Sequence, residues 1–154
     1  FAEFAGLVEG AARGAFRFLG ISYDSFEITG CWANVNPPGG LNSSHNHPNN
    51  YLSGVYYVEV PPGTGQIVFA DPRPQAGVIV PTTAAYNKFT GNKITAEAKP
   101  GRMFLFPGWL FHSVPVNRGD GDRISIAFNV MFTQYTEKMS PPLWSGTVPL
   151  KRRS

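Results

Sequence analysis

Residues 123–132, Arg-Ile-Ser-Ile-Ala-Phe-Asn-Val-Met-Phe, constrain the fold more than any other part of the chain. Their period is two. Arg123, Ser125, Ala127 and Asn129 fall on one face of an extended strand, and Ile124, Ile126, Phe128 and Val130 on the other. A helix would scatter both sets around its circumference. The wall of a β-barrel enclosing a polar pocket has this pattern, and so has an antiparallel sheet with one solvated face; periodicity alone does not separate them.

The rest of the chain is consistent with an all-β core. Seventeen glycines and 14 prolines among 154 residues, with 14% aromatics, point to short strands joined by turns around an aromatic interior. The length suits one domain spanning 1–154. Strands are expected at 26–36, at the short stretch around His45, and at 51–60, where Pro61-Pro62-Gly63 ends the run. A strand at 66–70 is expected to pair with 51–60 as a hairpin. Further strands are expected at 78–80, 94–98, 102–106 and 111–116, with 86–92 a loop. Ahead of all these, apolar residues at Phe4, Leu7, Val8, Ala11, Ala12, Ala15, Phe16 and Leu19 recur at helical spacing. Gly6, Gly10 and Gly14 each weaken that helix by about 1 kcal/mol relative to Ala, so packing against a sheet must hold it.

The chain has three histidines, and two of them sit in Ser44-His45-Asn46-His47-Pro48. In an extended strand, side chains at i and i+2 share a face, so both imidazoles can reach one point. His112, in Phe106-Pro107-Gly108-Trp109-Leu110-Phe111-His112, is the distant third. Together they could hold three corners of a metal site; imidazole suits iron, zinc, copper and nickel, so the residue types do not choose the metal. His45 and His47 are equally compatible with a polar loop among Asn, Ser and Pro.

Other classes receive little support. A net charge of +3, with basic residues scattered apart from Lys151-Arg152-Arg153, gives no nucleic-acid stripe. A single cysteine, Cys31, excludes a disulfide framework and favours a reducing compartment, so a cytoplasmic location is expected. No apolar run approaches the length of a membrane span. The chain opens at Phe1 without methionine, so further residues are expected to precede it, and the lack of a visible signal peptide carries little weight.

Four segments together resemble the iron- and 2-oxoglutarate-dependent oxygenases, and more narrowly the 2OG-Fe(II) oxygenase family of bacteria and phages. They are Trp32-Ala33-Asn34, residues 45–58, residues 106–112 and residues 123–129, within a span of roughly 27–134. The resemblance implies a double-stranded β-helix, or jelly roll, with Fe(II), 2-oxoglutarate and O2 used to hydroxylate a substrate, releasing succinate and CO2. It gives His45, His47 and His112 the metal. Arg123, eleven residues after His112, takes the position of the basic residue that grips the far carboxylate of 2-oxoglutarate, completed by Ser125 as Arg-x-Ser. A guanidinium suits this because it offers a planar fork of donors. Tyr57 takes the position of a tyrosine on the same carboxylate, and Asn34 and Asn129 are further candidate contacts. Trp32, Tyr51, Tyr56, Trp109 and Phe111 are candidates to shield the site, or else core.

One residue departs from the pattern. The superfamily's usual triad is two histidines and a carboxylate, but position 47 is His, which gives three neutral ligands. Asp71, before Pro72, is the alternative carboxylate, although a turn role is the better reading. Two other readings remain: a cupin-like three-histidine dioxygenase without 2-oxoglutarate, and a non-catalytic jelly-roll binding protein with a metal. The first leaves Arg123 and Ser125 without a task. The sequence names no substrate; a small molecule or a peptide is expected, and a homo-oligomer is compatible with it.

Overall fold

The computed structural model describes residues 1–140 except 86 and 88, so the basic cluster at 151–153 lies outside the described residues. One helix, α1 (Ala2–Leu19), precedes eight strands. These are β1 (Phe26–Asn36), β2 (Asn42–His45), β3 (Leu52–Glu59), β4 (Gln66–Ala70), β5 (Lys93–Glu97), β6 (Met103–Pro107), β7 (His112–Val114) and β8 (Arg123–Phe132). They form two antiparallel four-stranded sheets, ordered β1-β8-β3-β6 and β2-β7-β4-β5. Successive strands cross between the sheets except at β4–β5, which makes the fold a double-stranded β-helix with one flanking helix.

The two faces of β8 have different partners, which removes the ambiguity of its alternation. Phe128, Val130 and Phe132 pack with Leu52 against Val8, Ala12 and Phe16 of α1. Val8 and Phe16 are fully buried, worth roughly 1.5–3 kcal/mol each, and this holds a helix that its glycines would otherwise loosen. Gly20 ends it in a left-handed conformation at φ 67°, with Ile21 N–H returning to Phe16 O at 2.9 Å. Arg123 and Ser125, on the other face, point between the sheets and are buried there. The polar face is therefore an interior face.

Three expectations need correction. β3 and β4 do not form a hairpin: both edges of β3 are taken, by β8 and β6. Pro61 and Pro62 have no N–H for a ladder, and the turn closed by Thr64 N–H on Pro61 O carries the chain to the opposite sheet. Val78-Ile79-Val80 is not a buried strand. Both edges of β4 are occupied, by β5 and β7, and the three side chains are 78%, 82% and 55% exposed. β7 is shorter than the expected 111–116, and Pro115 follows directly on its end.

Tyr51 and Tyr56 are also placed differently from a shielding role. Tyr51 packs on Phe16 and Phe132, and Tyr56 on Phe4, so both serve the helix-covered core.

Candidate metal centre

β2 and β7 pair so that His45 stands directly across from His112. β2 ends at His45, so His47 does not share its strand as the i, i+2 argument supposed. Instead its backbone N–H donates to Gly108 O at 2.8 Å, while Gly108 N–H donates to Tyr51 O at 2.9 Å. Gly108 is required there: a Cβ would lie 2.2 Å from Asn50 O. The turn at Phe106-Pro107-Gly108-Trp109 thus clamps the loop carrying His47 against the strand pair. All three histidines converge, with ligand nitrogens within 4.8 Å of one another and ring centroids 4.4–5.2 Å apart. Metal–nitrogen bonds of about 2.1 Å hold neighbouring ligand atoms roughly 3.0–3.4 Å apart, a spacing that falls inside this cluster.

Tautomers are set by the backbone. His45 Nδ1 lies 2.7 Å from Ser43 O and His112 Nδ1 lies 3.0 Å from Leu110 O. A carbonyl only accepts, so both Nδ1 atoms carry protons and both Nε2 lone pairs are left for a metal. Burial lowers the His112 pKa to about 4 and, aided by the charge on His45, lowers that of His47. Both groups are therefore held neutral, the form that ligates. The Trp32 ring stands 5.8 Å from His47, and Trp109 and Phe111 on the adjoining turn are exposed.

No carboxylate joins the cluster among the described residues. Asp71 is occupied elsewhere: Arg73 donates to it from Nε at 3.0 Å, from Nη2 at 2.7 Å and from its backbone N–H at 2.9 Å. Those bonds hold its carboxyl down at about 2. Asp71 is a turn residue before Pro72, as the simpler reading had it.

Beneath the imidazoles runs a slot of about 60 Å³, room for roughly four waters. Asn34, Asn42, Tyr57, Arg123 and Ser125 line it along with the three histidines. Arg123 is 1% exposed, a costly place for a charge without partners. Nη2 donates to Asn36 Oδ1 at 2.9 Å and Nη1 to Thr64 O at 3.1 Å. Among the described residues its Nε has no partner, and neither has the buried Tyr57 hydroxyl. Burial pushes the Tyr57 pKa up to about 12, against the opposing pull of Arg123, and lowers that of the guanidinium. Two orphaned donors beside one buried cation fit one small anion, and a carboxylate satisfies all three conditions.

The sequence candidates divide accordingly. Asn34, Tyr57, Arg123 and Ser125 line the slot, whereas Asn129 does not; its Oδ1 accepts from Ser53 Oγ at 2.7 Å. Asn36, Asn42 and Gly108 were not anticipated. Asn36 shares the inner face of β1 with Asn34 two residues earlier, a signal that alternation could have exposed. Asn42 is a partner of Asn36, whose Nδ2 reaches its Oδ1 at 3.0 Å, and no local pattern marks it.

An imidazole cluster in a jelly roll, with a buried guanidinium lining the same slot, makes a candidate metal site on a fold of the double-stranded β-helix class. The chain belongs to the 2OG-Fe(II) oxygenase family: the family model described as "Putative 2OG-Fe(II) oxygenase" matches residues 30–129. No curated protein matches the sequence. Among solved structures, the chain is similar to the non-heme alpha ketoglutarate dependent epimerase SnoN from nogalamycin biosynthesis, at 15% identity and TM-score 0.52, over 70% of this chain and 49% of that one. It is similar to a prolyl-4-hydroxylase of Pseudomonas putida, at 15% identity and TM-score 0.51, over 82% and 63%. The carbocyclase SnoK of the same biosynthesis matches at 10% identity and TM-score 0.52, over 70% and 50%. At these identities the likeness concerns the fold. The chain spans about half to somewhat under two thirds of those proteins' length. No helix among the described residues is long and apolar enough to cross a membrane.

Proposed function

We propose that the chain is an Fe(II)- and 2-oxoglutarate-dependent dioxygenase of a reducing, cytoplasmic compartment, hydroxylating its substrate with release of succinate and CO2. The observation that carries this reading is the pairing of three convergent imidazoles with a buried guanidinium and hydroxyl that have donors unspent among the described residues. His45, His47 and His112 would hold the iron, which when bound with 2-oxoglutarate supplies the O2-activating chemistry. Arg123 and Tyr57 would receive the far carboxylate, Arg123 through Nε and Tyr57 through its hydroxyl. Asn36 and Thr64 O keep the guanidinium aimed by occupying its two other nitrogens. The three histidines and Arg123 line the same slot, so one small dicarboxylate would meet the metal with one end and the guanidinium with the other.

The test is calorimetric titration of 2-oxoglutarate into the Fe(II)-loaded protein under argon, followed by succinate assay on admitting O2. Saturable binding and slow succinate release without added substrate are expected. Metal binding without 2-oxoglutarate binding would reject the reading in favour of a three-histidine centre of another kind.

A further inference from the structure

The two acceptors that aim Arg123 both sit where the ladders have least hold on them. Asn36 is the last residue of β1 and faces Arg123 in the terminal register pair with β8. Thr64 belongs to the turn between β3 and β4. Strand ends and turns open more readily than the middle of a sheet, yet a guanidinium that binds a carboxylate must be kept in one orientation. Something outside the ladders has to fix both acceptors.

The loop from β7 to β8 does so, and its centre is Asn117, which is 2% exposed. Nδ2 donates to Asn36 O at 2.8 Å and to Gly121 O at 2.9 Å, and Oδ1 accepts from Gly119 N–H at 2.9 Å. Its backbone is engaged as well: the N–H donates to Gly40 O and the carbonyl accepts from Gly39 N–H, both at 2.8 Å. The bond to Gly119 closes the local turn that Asn side chains favour, and it seats Gly119 against the second acceptor. A Cβ on Gly119 would lie 2.4 Å from Pro62 O and 2.7 Å from Thr64 Cγ2. One buried amide thus holds Asn36 by a hydrogen bond and Thr64 by close contact through Gly119.

We propose that Asn117 is the positioning residue for the carboxylate-binding half of the site. It does not itself line the slot; it fixes both acceptors of Arg123 and thereby the direction in which Nε is presented. The identity of the carboxylate rests on the oxygenase reading above, whereas the hold on the guanidinium rests on the hydrogen bonds alone.

The test uses the full chain labelled with 15N in arginine, the Arg123 signals being assigned by their loss in Arg123→Lys. Separate acceptors for Nη1 and Nη2 should slow rotation of the guanidinium, so the ligand-free parent should give distinct Nη resonances. Asn117→Ala should speed their exchange about tenfold, the value of one lost hydrogen bond. In the Fe(II)-loaded protein it should weaken 2-oxoglutarate binding about tenfold by calorimetry, at unchanged iron content. Combined with Asn36→Ala, the loss should be clearly less than the product of the two, because both act on one guanidinium. Should Asn117→Ala not fold, Gly119→Ala reads the same exchange, because its Cβ displaces Thr64 while the Asn117 amide remains. Phe16→Leu loosens the helix-side core, controls for lost stability, and should leave exchange and affinity at parent values. Averaged Nη resonances in the parent, or exchange in Asn117→Ala or Gly119→Ala as slow as in the parent, overturn the proposal. So do equally fast exchange in Phe16→Leu and a strictly multiplicative loss of affinity in the double variant. The exchange rates need no ligand, so absence of 2-oxoglutarate binding in the parent rejects the oxygenase reading as a separate result.

Discussion

Replacing Tyr57 by Phe should make the metal-free protein more stable while making it a poorer 2-oxoglutarate binder. Tyr57 is 1% exposed and its hydroxyl has no partner among the described residues. An unsatisfied buried hydroxyl costs about 1–3 kcal/mol; room for roughly four waters in the slot brings the expected relief to the lower end, about 1 kcal/mol. For a chain of this size that raises Tm by about 2–4 °C. The phenyl ring keeps its packing against Phe104 and against the Val55, Ile67 and Phe106 cluster, so no cavity term opposes the gain. Binding runs the other way. A hydrogen bond to a carboxylate contributes roughly 1.5–3 kcal/mol, which is about 10- to 150-fold in Kd. Thermal unfolding of the metal-free pair and argon calorimetry of the Fe(II)-loaded pair measure the two effects independently. Unchanged 2-oxoglutarate affinity would refute the role of the hydroxyl, and a lower Tm would refute the claim that it lacks a partner.

Other outcomes follow from single features of the structure. Asn36→Ala removes the acceptor of Arg123 Nη2 and should weaken 2-oxoglutarate binding about tenfold at unchanged metal content, as measured by calorimetry and metal analysis. Gly108→Ala forces a Cβ onto Asn50 O and should displace the His47 loop, so the purified variant should retain markedly less iron than the parent. Gly10→Ala on α1 meets nothing within 4 Å and should stabilise by about 1 kcal/mol in chemical denaturation; destabilisation would mean that this face is covered in solution. In metal-free protein the folded His112 pKa of about 4 lies below the unfolded value, so the unfolded state takes up its proton first on acidification. That stability is intact above about pH 6.5 and declines towards pH 4 by up to about 3 kcal/mol, and denaturation curves of His112→Gln should be flatter across that window.

The strands were legible where the sequence is locally periodic. β1 and β8 begin and end where alternation begins and ends, and the α1 stripe is the face that packs. Pairing was not legible in the same way. The partner of β4 depends on which edges other strands already occupy, and nothing in residues 61–65 specifies that. Residues 78–80 have strand propensity yet lie exposed in the β4–β5 connection and join neither sheet, so tertiary structure overrides propensity there. The three histidines were legible by type; the way His47 reaches the cluster was not, because it depends on a turn sixty residues away. Asn36 was legible in the alternation of β1, whereas its bond to Arg123 and that of Asn42 to Asn36 show only in three dimensions.

The site draws its two halves from different sheets, and that division governs how substitutions act on it. His45 and His112 belong to β2 and β7 of one sheet, while Asn34, Tyr57 and Arg123 belong to β1, β3 and β8 of the other. Facing sheets stand roughly 10 Å apart, a separation set by the side chains between them. Here those are Val55, Ile67, Ala98 and Phe106, with the Phe69 and Phe106 rings 5.0 Å apart and Phe106 4.6 Å from His112. On the proposed reading, a dicarboxylate touches the metal with one end and Arg123 with the other, so its span has to match that separation. On that reading, substitutions at core positions in this cluster are expected to change 2-oxoglutarate affinity without touching the bound molecule. The helix-side cluster around Phe16 and Phe128 lies on the outer face of the first sheet, and substitutions there act on stability while the separation stays the same.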